Sequence, residues 1–130
     1  MRVRAALLAI AATGGIVAPA VAHHSFSMFD QTKTLMWQGT VKEYKWSNPH
    51  THIIIVVPAN KPMAGTWDIE GASPNIMLRQ GWNKGTFKPG DKITVAGHPL
   101  RSGEKGASLY YAISPTGQKL YHDVSRAPGG

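Results

Sequence analysis

A run of five β-branched residues, Ile53 to Val57, constrains the fold of this chain more than any other segment. Isoleucine and valine pack well on a pleated strand and favour that conformation. Proline lacks the amide hydrogen that a ladder requires, and Pro49 and Pro58 stand on either side of the run. The residues between these prolines therefore predict a strand, and such a strand needs partners in a sheet.

Turn signals divide the rest of the chain into further short strands. Residues 34–46 alternate apolar and polar side chains and predict a long first strand, in which Gly39 interrupts the period and predicts a bulge or sharp bend. Asn48-Pro49 starts a turn, so this strand is expected to form a hairpin with residues 51–58. Three later segments have a strand pattern too: 88–99, 106–115 and, shorter, 117–123.

The third predicted strand, residues 66–71, has two faces of opposite character. Trp67 and Ile69 project to one side, while Asp68 and Glu70 project to the other. Two acidic residues at this spacing are typical of a solvated surface rather than of a catalytic pair. Glu70 also precedes the turn into a helix, where a carboxylate is well placed to accept backbone amide hydrogens.

One short helix is predicted after the third strand. Ser73 is a favourable N-cap residue, Pro74 suits the first helical position, and Gly81 is a residue that terminates helices. The helix is therefore expected to make one to two turns. Its apolar residues are expected in the core: Ile76, Met77 and Leu78.

The resulting order is three strands, a short helix, two strands and a short terminal strand. This is the order of an OB-type barrel, a small, partly open Greek-key barrel with a helix between its third and fourth strands. Barrel closure covers strand edges, which suits a chain that has no cysteine and therefore no disulfide. We predict a mainly β, OB-like domain over residues 34–124, an N-terminal arm over 23–33 and a disordered tail over 125–130.

The N-terminus has the features of a secretory signal peptide. Arg2 and Arg4 precede a stretch of 14 uncharged residues, 5–18, and this is shorter than the ~20 residues that span a bilayer as a helix. We therefore expect a signal-peptide helix within residues 1–22, its removal, and a periplasmic or secreted product without a transmembrane segment.

The cleavage site decides which residue becomes the new amino terminus. Small residues at Ala20 and Ala22 favour a cut after Ala22, which makes His23 the first residue. A cut after Ala20 is the alternative, and it leaves His23 as the third residue. Cleavage after Ala22 leaves 108 residues, enough for one domain.

The chain is moderately basic. It has 14 Lys+Arg and 7 Asp+Glu, a formal net charge of +7, and loss of Arg2 and Arg4 reduces this to +5. The basic residues are spread singly from Lys33 to Arg126, a pattern typical of a solvated surface. Export argues against nucleic acid as a partner.

Several blocks of the sequence resemble a known family: "AHHSFSMFD", "GTVKEYKWSNPHTHI", "TWDIEGASPNIMLRQGW", "PGDKITVAGHPLRSG" and "ASLYYAISPTGQKL". Together they are similar to a family of small secreted proteobacterial proteins of unknown function. Its members have a His-His pair after the signal, Asn-Pro-His at the first hairpin and Trp-x-x-Glu before the short helix. The resemblance implies an exported OB-like domain and brings no established activity, so function has to be argued from the residues.

Four of the six histidines form two pairs, His23 with His24 and His50 with His52. His50 and His52 occupy alternate positions at the start of a strand, so both imidazoles are expected on one face. A chain-terminal histidine offers its amine and its ring nitrogen as a bidentate chelate for Cu(II), and nitrogen-rich sites favour copper among divalent first-row metals. The alternative cut also creates a Cu(II) or Ni(II) site, from the terminal amine, two amides and the third-position imidazole.

The sequence thus predicts an exported protein that binds a copper ion without turnover, with His23, His24, His50 and His52 as candidate ligands. Met28 is a further candidate, as a soft ligand for Cu(I). A purely structural role in shaping the hairpin stays open for His50 and His52. The remaining histidines are expected to be structural or exposed: His98 and His122.

A different class of function is a binding or assembly module without metal. An aromatic barrel face would then hold a saccharide, a lipid headgroup or a protein partner, and the candidate residues are Trp37, Trp46, Trp67 and Tyr44. The sequence has no Gly-x-Ser-x-Gly, phosphate loop or His-Glu-x-x-His motif, and no catalytic residue is predicted. An oxidative copper enzyme is a third and less favoured alternative, because no substrate surface of the necessary size is evident.

Overall fold

The computed structural model describes residues 26–123, and these form a small barrel of short strands with one short helix. His23, His24, the predicted signal-peptide helix and the predicted tail 125–130 lie outside the described residues. The elements follow in the order 3-10 turn Phe26–Met28, β1 Leu35–Lys45, β2 His52–Val57, β3 Gly65–Glu70, α1 Pro74–Arg79, β4 Lys92–Pro99, β5 Gly106–Ile113 and β6 Lys119–Tyr121.

Five strands close on themselves to form the barrel. Antiparallel ladders join β1 to β2, β2 to β3, β1 to β4 and β4 to β5, and a parallel ladder between β3 and β5 completes the circle. The short β6 pairs with β5 outside this circle. The predicted mainly β, OB-like barrel with one helix between its third and fourth strands is confirmed. No helix within residues 26–123 has the length and apolar character of a membrane span.

Alternation along the strands separates the core from the outer face. In β2, Ile53, Ile55 and Val57 are buried, whereas His52 and Ile54 are partly exposed on the outer side. Each fully buried aliphatic side chain contributes roughly 1.5–3 kcal/mol relative to an exposed one. The main core cluster consists of Trp37, Val41, Ile53, Ile55, Val57, Trp67, Ile69, Met77, Trp82, Phe87, Ile93, Val95, Ala107, Leu109 and Ala112.

The bulge in β1 lies at Lys42 and not at Gly39. The β1–β2 register runs regularly to Val41 and then skips to Glu43, which leaves Lys42 as the extra residue. Gly39 has a different role, because a Cβ at this position would lie 2.8 Å from the carbonyl oxygen of Val56. The break in the sequence pattern at Gly39 therefore marks a close approach of two backbones.

The helix buries fewer of its residues than the sequence predicted. It spans only Pro74–Arg79, fewer than two turns. So short a helix presents one position to the core, and Met77 occupies it. Ile76 and Leu78 flank that position and are 48% and 53% exposed, so their predicted core location is wrong. Gly81 ends the helix with a φ of +90°, as predicted.

Candidate functional site

Two histidine–carboxylate pairs lie on the outer face of the β2–β3 hairpin. The ladder pairs His52 with Glu70, and the side chains then engage diagonal neighbours on the same face. His50 Nδ1 contacts Glu70 Oε1, and His52 Nδ1 is 2.7 Å from Asp68 Oδ1. The predicted common face of the two histidines is therefore also the face of the two carboxylates, and each ring has its own acidic partner.

Buried Thr51 fixes the backbone between the two histidines. Its amide and its Oγ1 both donate to the carbonyl of Ala72, at 2.9 and 3.0 Å, and its own carbonyl accepts from the amide of Gly71 at 2.8 Å. A Cβ at Gly71 would lie 2.4 Å from Thr51 Oγ1, so glycine is required there. These contacts hold the segment after β3 against β2, and thereby keep Glu70 beside His50.

Each carboxylate orients the ring of its histidine. When the Nδ1–H donates to the carboxylate, Nε2 keeps a lone pair, and this carboxylate–histidine arrangement is the common second shell of metal-ligating imidazoles. The hydrogen bond from His52 to Asp68 also raises the pKa of His52, with a further contribution from the negative charge of both acidic residues. His52 is therefore more readily protonated, which competes with metal binding at that ring.

A cleft of about 290 Å³ lies beside the His50–Glu70 pair. Three histidines and two carboxylates contribute to its lining, and we call it the histidine cleft: His50, His98, His122, Glu70 and Asp123. Its apolar wall includes Phe26, Phe29 and Ile76, which come from the N-terminal arm and the helix. The His50–Glu70 pair therefore borders the cleft, whereas His52 and Asp68 are not part of its lining.

His98 enters the cleft with a fixed ring. Its Nδ1–H donates to the carbonyl of Lys33 at 2.8 Å, and its ring stacks on Tyr110 with a centroid separation of 5.9 Å and an interplanar angle of 27°. The β4–β5 register skips Tyr110, so this residue is the extra one of a bulge, a feature that re-aims side chains. His98 is thus held by structure, as expected, and also lines the cleft, which the sequence did not predict.

The N-terminal arm is tied to the end of β4. Phe29 forms a bridge with Leu100, the amide of Asp30 donates to the carbonyl of Pro99, and the amide of Arg101 donates to the carbonyl of Met28, the last two at 2.8 Å. The Asp30 carboxylate accepts from the hydroxyl and amide of the nearby Thr32, and these bonds lower the pKa of Asp30. The arm is therefore anchored just where it reaches the cleft.

The remaining candidates from the sequence have different surroundings. The Met28 side chain is 48% exposed and does not line the histidine cleft. Trp37 and Trp67 are buried and pack on each other with ring centroids 4.8 Å apart. Tyr44 and Trp46 are only partly buried. The four aromatic candidates therefore divide between the core and its margin and do not form one exposed face.

Within residues 26–123, no three histidine, aspartate or glutamate side chains are grouped closely enough to hold a metal ion.

The acidic partners Asp68 and Glu70 were not among the predicted site residues. The β2–β3 register brings the His-x-His and Asp-x-Glu segments together, so these partners follow from the hairpin pairing and not from either segment alone.

Comparison with known proteins identifies a family and no activity. The family of unknown function DUF6152 matches residues 11–109, which is more than half of the 130-residue chain. The chain belongs to this family. No curated protein and no solved structure matches it. The predicted resemblance to a family without an established activity agrees with this match, and the DUF6152 chain has to be interpreted from its own residues.

Proposed function

We propose that this DUF6152 protein is exported, is cleaved after Ala22, and binds a copper ion through its new amino-terminal histidine, His23, without turnover. The observation that carries the proposal is that Phe26 and His50 line the same cleft. His23 precedes Phe26 by three residues, and three extended residues span up to ~10 Å. We therefore expect the terminal amine and ring of His23 to reach the His50 imidazole.

The chemistry of the ligands favours Cu(II). An α-amine has a pKa of about 8, low enough for a metal to displace its proton near neutral pH, and the adjacent imidazole closes the chelate. His50 adds an imidazole whose Nδ1 is engaged by Glu70, which leaves Nε2 for the metal. Three nitrogens of this kind follow the affinity order in which copper exceeds the other divalent first-row metals.

Two further histidines, His24 and His52, were also predicted as ligands of the copper ion. His24 follows His23 directly and shares its reach, and His52 is the second histidine of the β2 pair. Within residues 26–123 no side-chain group forms a metal site unaided, which supports a site assembled between the arm and the barrel. Such a site binds one ion in each chain.

Copper titration of the processed protein tests the proposal. Protein that begins at His23 should bind one Cu(II) with a dissociation constant of about 1 μM or below, equivalent to roughly 8 kcal/mol. Two controls remove the chelate without touching the barrel: His23→Ala, and the same chain with its terminal amine acetylated, which blocks one of the two chelating nitrogens. Equal affinity of all three proteins for Cu(II) would refute the proposal.

The mass of the protein exported from its native host tests the cleavage step separately. A mature chain that begins at His23 supports the amine–imidazole chelate. A chain that begins at Val21 places His23 third and predicts the square-planar amide complex instead, whose visible spectrum differs. A first residue beyond His23 removes the ligand and would end the proposal.

A further inference from the structure

We propose that a groove on the outer face of β1, β4 and β5 binds an acidic saccharide, that is, a sugar that carries a carboxylate. The groove has a volume of about 360 Å³, within the range of roughly 300–1,000 Å³ that small-molecule sites have. Among residues 26–123, it shares no lining residue with the histidine cleft, so this proposal is independent of the copper site. We call it the basic groove, and its polar lining consists of Gln38, Thr40, Lys61, Lys92, Thr94 and Ser114.

Strand register gathers polar side chains on this face. Gln38 of β1 is paired with Thr94 of β4, and Thr40 with Lys92. Directly paired residues project to the same side of a sheet, and residues two apart on one strand share that side. Ile93 lies between Lys92 and Thr94, is buried, and also lines the groove. The four polar side chains therefore stand around an apolar floor.

Two turns complete the lining, and hydrogen bonds hold the backbone of both. The turn after β2 contributes Pro58 and Lys61, and the amide of Lys61 donates to the carbonyl of Pro58 at 3.0 Å. The turn after β5 contributes Ser114, whose amide donates to the carbonyl of Gln118 at 2.9 Å and whose Oγ accepts from the Gln118 amide at 3.1 Å. The groove is therefore largely pre-formed, which lowers the cost of ordering on binding.

The groove is positively charged. Lys61 and Lys92 line it and are exposed, and no aspartate or glutamate of the described chain does so. Lys119 of β6 lies beside it on the same face, because it is paired with Ile113, a lining residue. Within residues 26–123, none of these three lysines forms an ion pair. Their charges therefore remain to be balanced by an anionic group.

Two tyrosines hold the ammonium group of Lys119. Its Nζ is 3.9 Å from the ring centroid of Tyr111 and 5.2 Å from that of Tyr121, which are cation–π distances. A hydrogen bond with Tyr121 raises the pKa of Lys119, so this group stays charged at neutral pH. The lysine covers one face of the Tyr111 ring, and no aromatic side chain of residues 26–123 lines the groove. Single-stranded nucleic acid is bound mainly by stacking on aromatic rings, so the groove does not favour it.

Three neutral side chains suit a ligand that is rich in hydroxyl groups. In the described part of the chain, the side chains of Gln38, Thr40 and Thr94 make no hydrogen bond. Amide and hydroxyl groups both donate and accept, as sugar hydroxyls do, and Ile93 and Pro58 offer apolar surface to the C–H groups of a sugar ring. None of the large exposed apolar side chains of residues 26–123 lines the groove, which argues against a lipid chain. Hydroxyl partners and unpaired cations together favour an acidic saccharide.

Titration of the protein with a trimer of galacturonate tests the proposal. The wild type should bind it with a dissociation constant below about 1 mM. The double variant Lys61→Gln and Lys92→Gln should bind at least about tenfold more weakly, because two charged donors are lost. The matched control is Lys84→Gln with Lys105→Gln, which removes the same charge outside the groove and should change the affinity less than about twofold, because salt screens distant surface charges. Thr94→Val removes one hydroxyl at similar shape and should weaken binding about fivefold.

Three further probes distinguish an acidic saccharide from other ligands. A galactose trimer lacks the carboxylates and should bind at least about tenfold more weakly than the galacturonate trimer. Inorganic phosphate that binds as tightly as the galacturonate trimer would show that the groove recognises charge alone. A single-stranded oligonucleotide that binds more tightly would assign the groove to nucleic acid. Either result overturns the proposal, as does the absence of saturable binding of the galacturonate trimer or an equal loss in the groove and control variants.

Amide chemical shifts of the unsubstituted protein locate the ligand without any variant. Saturation with the galacturonate trimer should shift the nuclear magnetic resonance signals of Gly39, Thr94 and Ser114, which belong to the groove. The signals of Gly71 and Ala72, in the lining of the histidine cleft, should stay in place. Shifts centred on the histidine cleft, or spread evenly over the surface, would contradict the assignment.

Discussion

His50 and the aromatic residues Trp37 and Trp67 were all predicted to belong to binding sites, and the structure gives them opposite surroundings. The cleft keeps His50, His98 and Glu70 on its lining, with hydrogen bonds that fix the rings. Trp37 and Trp67 pack on each other inside the barrel. Trp37 and Trp67 thus belong to the core, whereas the residues of the cleft lie on the outer face of the barrel.

The two regions differ because of the phase of the strand alternation. In β3, the residues Trp67 and Ile69 point inward, and Asp68 and Glu70 point outward. A small barrel has few inward positions, and large aromatic side chains fill them most effectively. An aromatic side chain in phase with buried isoleucines is therefore a core residue even when the function of a related fold suggests a stacking platform.

The largest expected effect is the loss of a core aromatic residue. Trp67→Ala should lower the free energy of unfolding by about 3–5 kcal/mol, because Trp67 is only 7% exposed and its Nε1–H donates to the carbonyl of Met63. Urea denaturation followed by tryptophan fluorescence or circular dichroism measures it. Trp46→Ala, at the core margin, is the comparison and should cost much less. A change below about 0.5 kcal/mol for Trp67→Ala, typical of surface positions, would favour the aromatic binding face.

The next effect concerns the cleft. His50→Gln in the processed protein should weaken Cu(II) binding about 100-fold, roughly 2.7 kcal/mol, because a barrel ligand is lost. Trp46→Ala should leave the affinity unchanged, since Trp46 does not line the cleft. Competition titration against a chelator of known affinity measures both variants. Equal weakening in the two would mean that copper binding follows overall stability and not the ligand set.

A smaller effect is expected when only the orientation of the ring changes. Glu70→Gln keeps an acceptor for His50 Nδ1 but removes the charge, so Cu(II) affinity should fall about tenfold. Asp68→Asn makes the same change at the His52 pair, outside the cleft, and should change the affinity less than about twofold. The two substitutions together show whether Cu(II) affinity depends on the carboxylate at the cleft or on either histidine–carboxylate contact equally. A larger effect of Asp68→Asn would place the metal at His52.

Local patterns were sufficient to predict the fold. The β-branched run of β2, the turn signals at Asn48-Pro49 and the Ser73-Pro74 helix start each act over a few residues, and their order specified the barrel. The exposed Ile76 and Leu78 were mispredicted because apolar character does not tell how many positions so short a helix presents to the core. That number depends on how the helix lies against the barrel, which is a tertiary property.

The candidate site was predicted only in part, because its residues meet through the parallel β3–β5 ladder. His50 was identified from its spacing to His52, a local signal. His98 lies 48 residues after His50, and the two line one cleft because β5 joins β3 to β4, with Ser108 paired with both Glu70 and His98. The order of strands around a closed barrel supplies that relation, and no spacing within the sequence contains it.

The smallest effect belongs to Tyr44, at the margin of the core. Burial raises the pKa of its phenol far above the ordinary value of 10, so above pH ~10 the unfolded chain loses this proton before the folded chain does. Unfolding then releases a proton, and stability falls as the pH rises. Tyr44→Phe should cost about 1 kcal/mol or less at pH 8, for the lost bond from the phenol to the carbonyl of Asn83, and this deficit should shrink or reverse at pH 11. Urea denaturation at the two pH values measures the difference, and an unchanged deficit at pH 11 would mean that the Tyr44 phenol is open to water, as an exposed binding face would require.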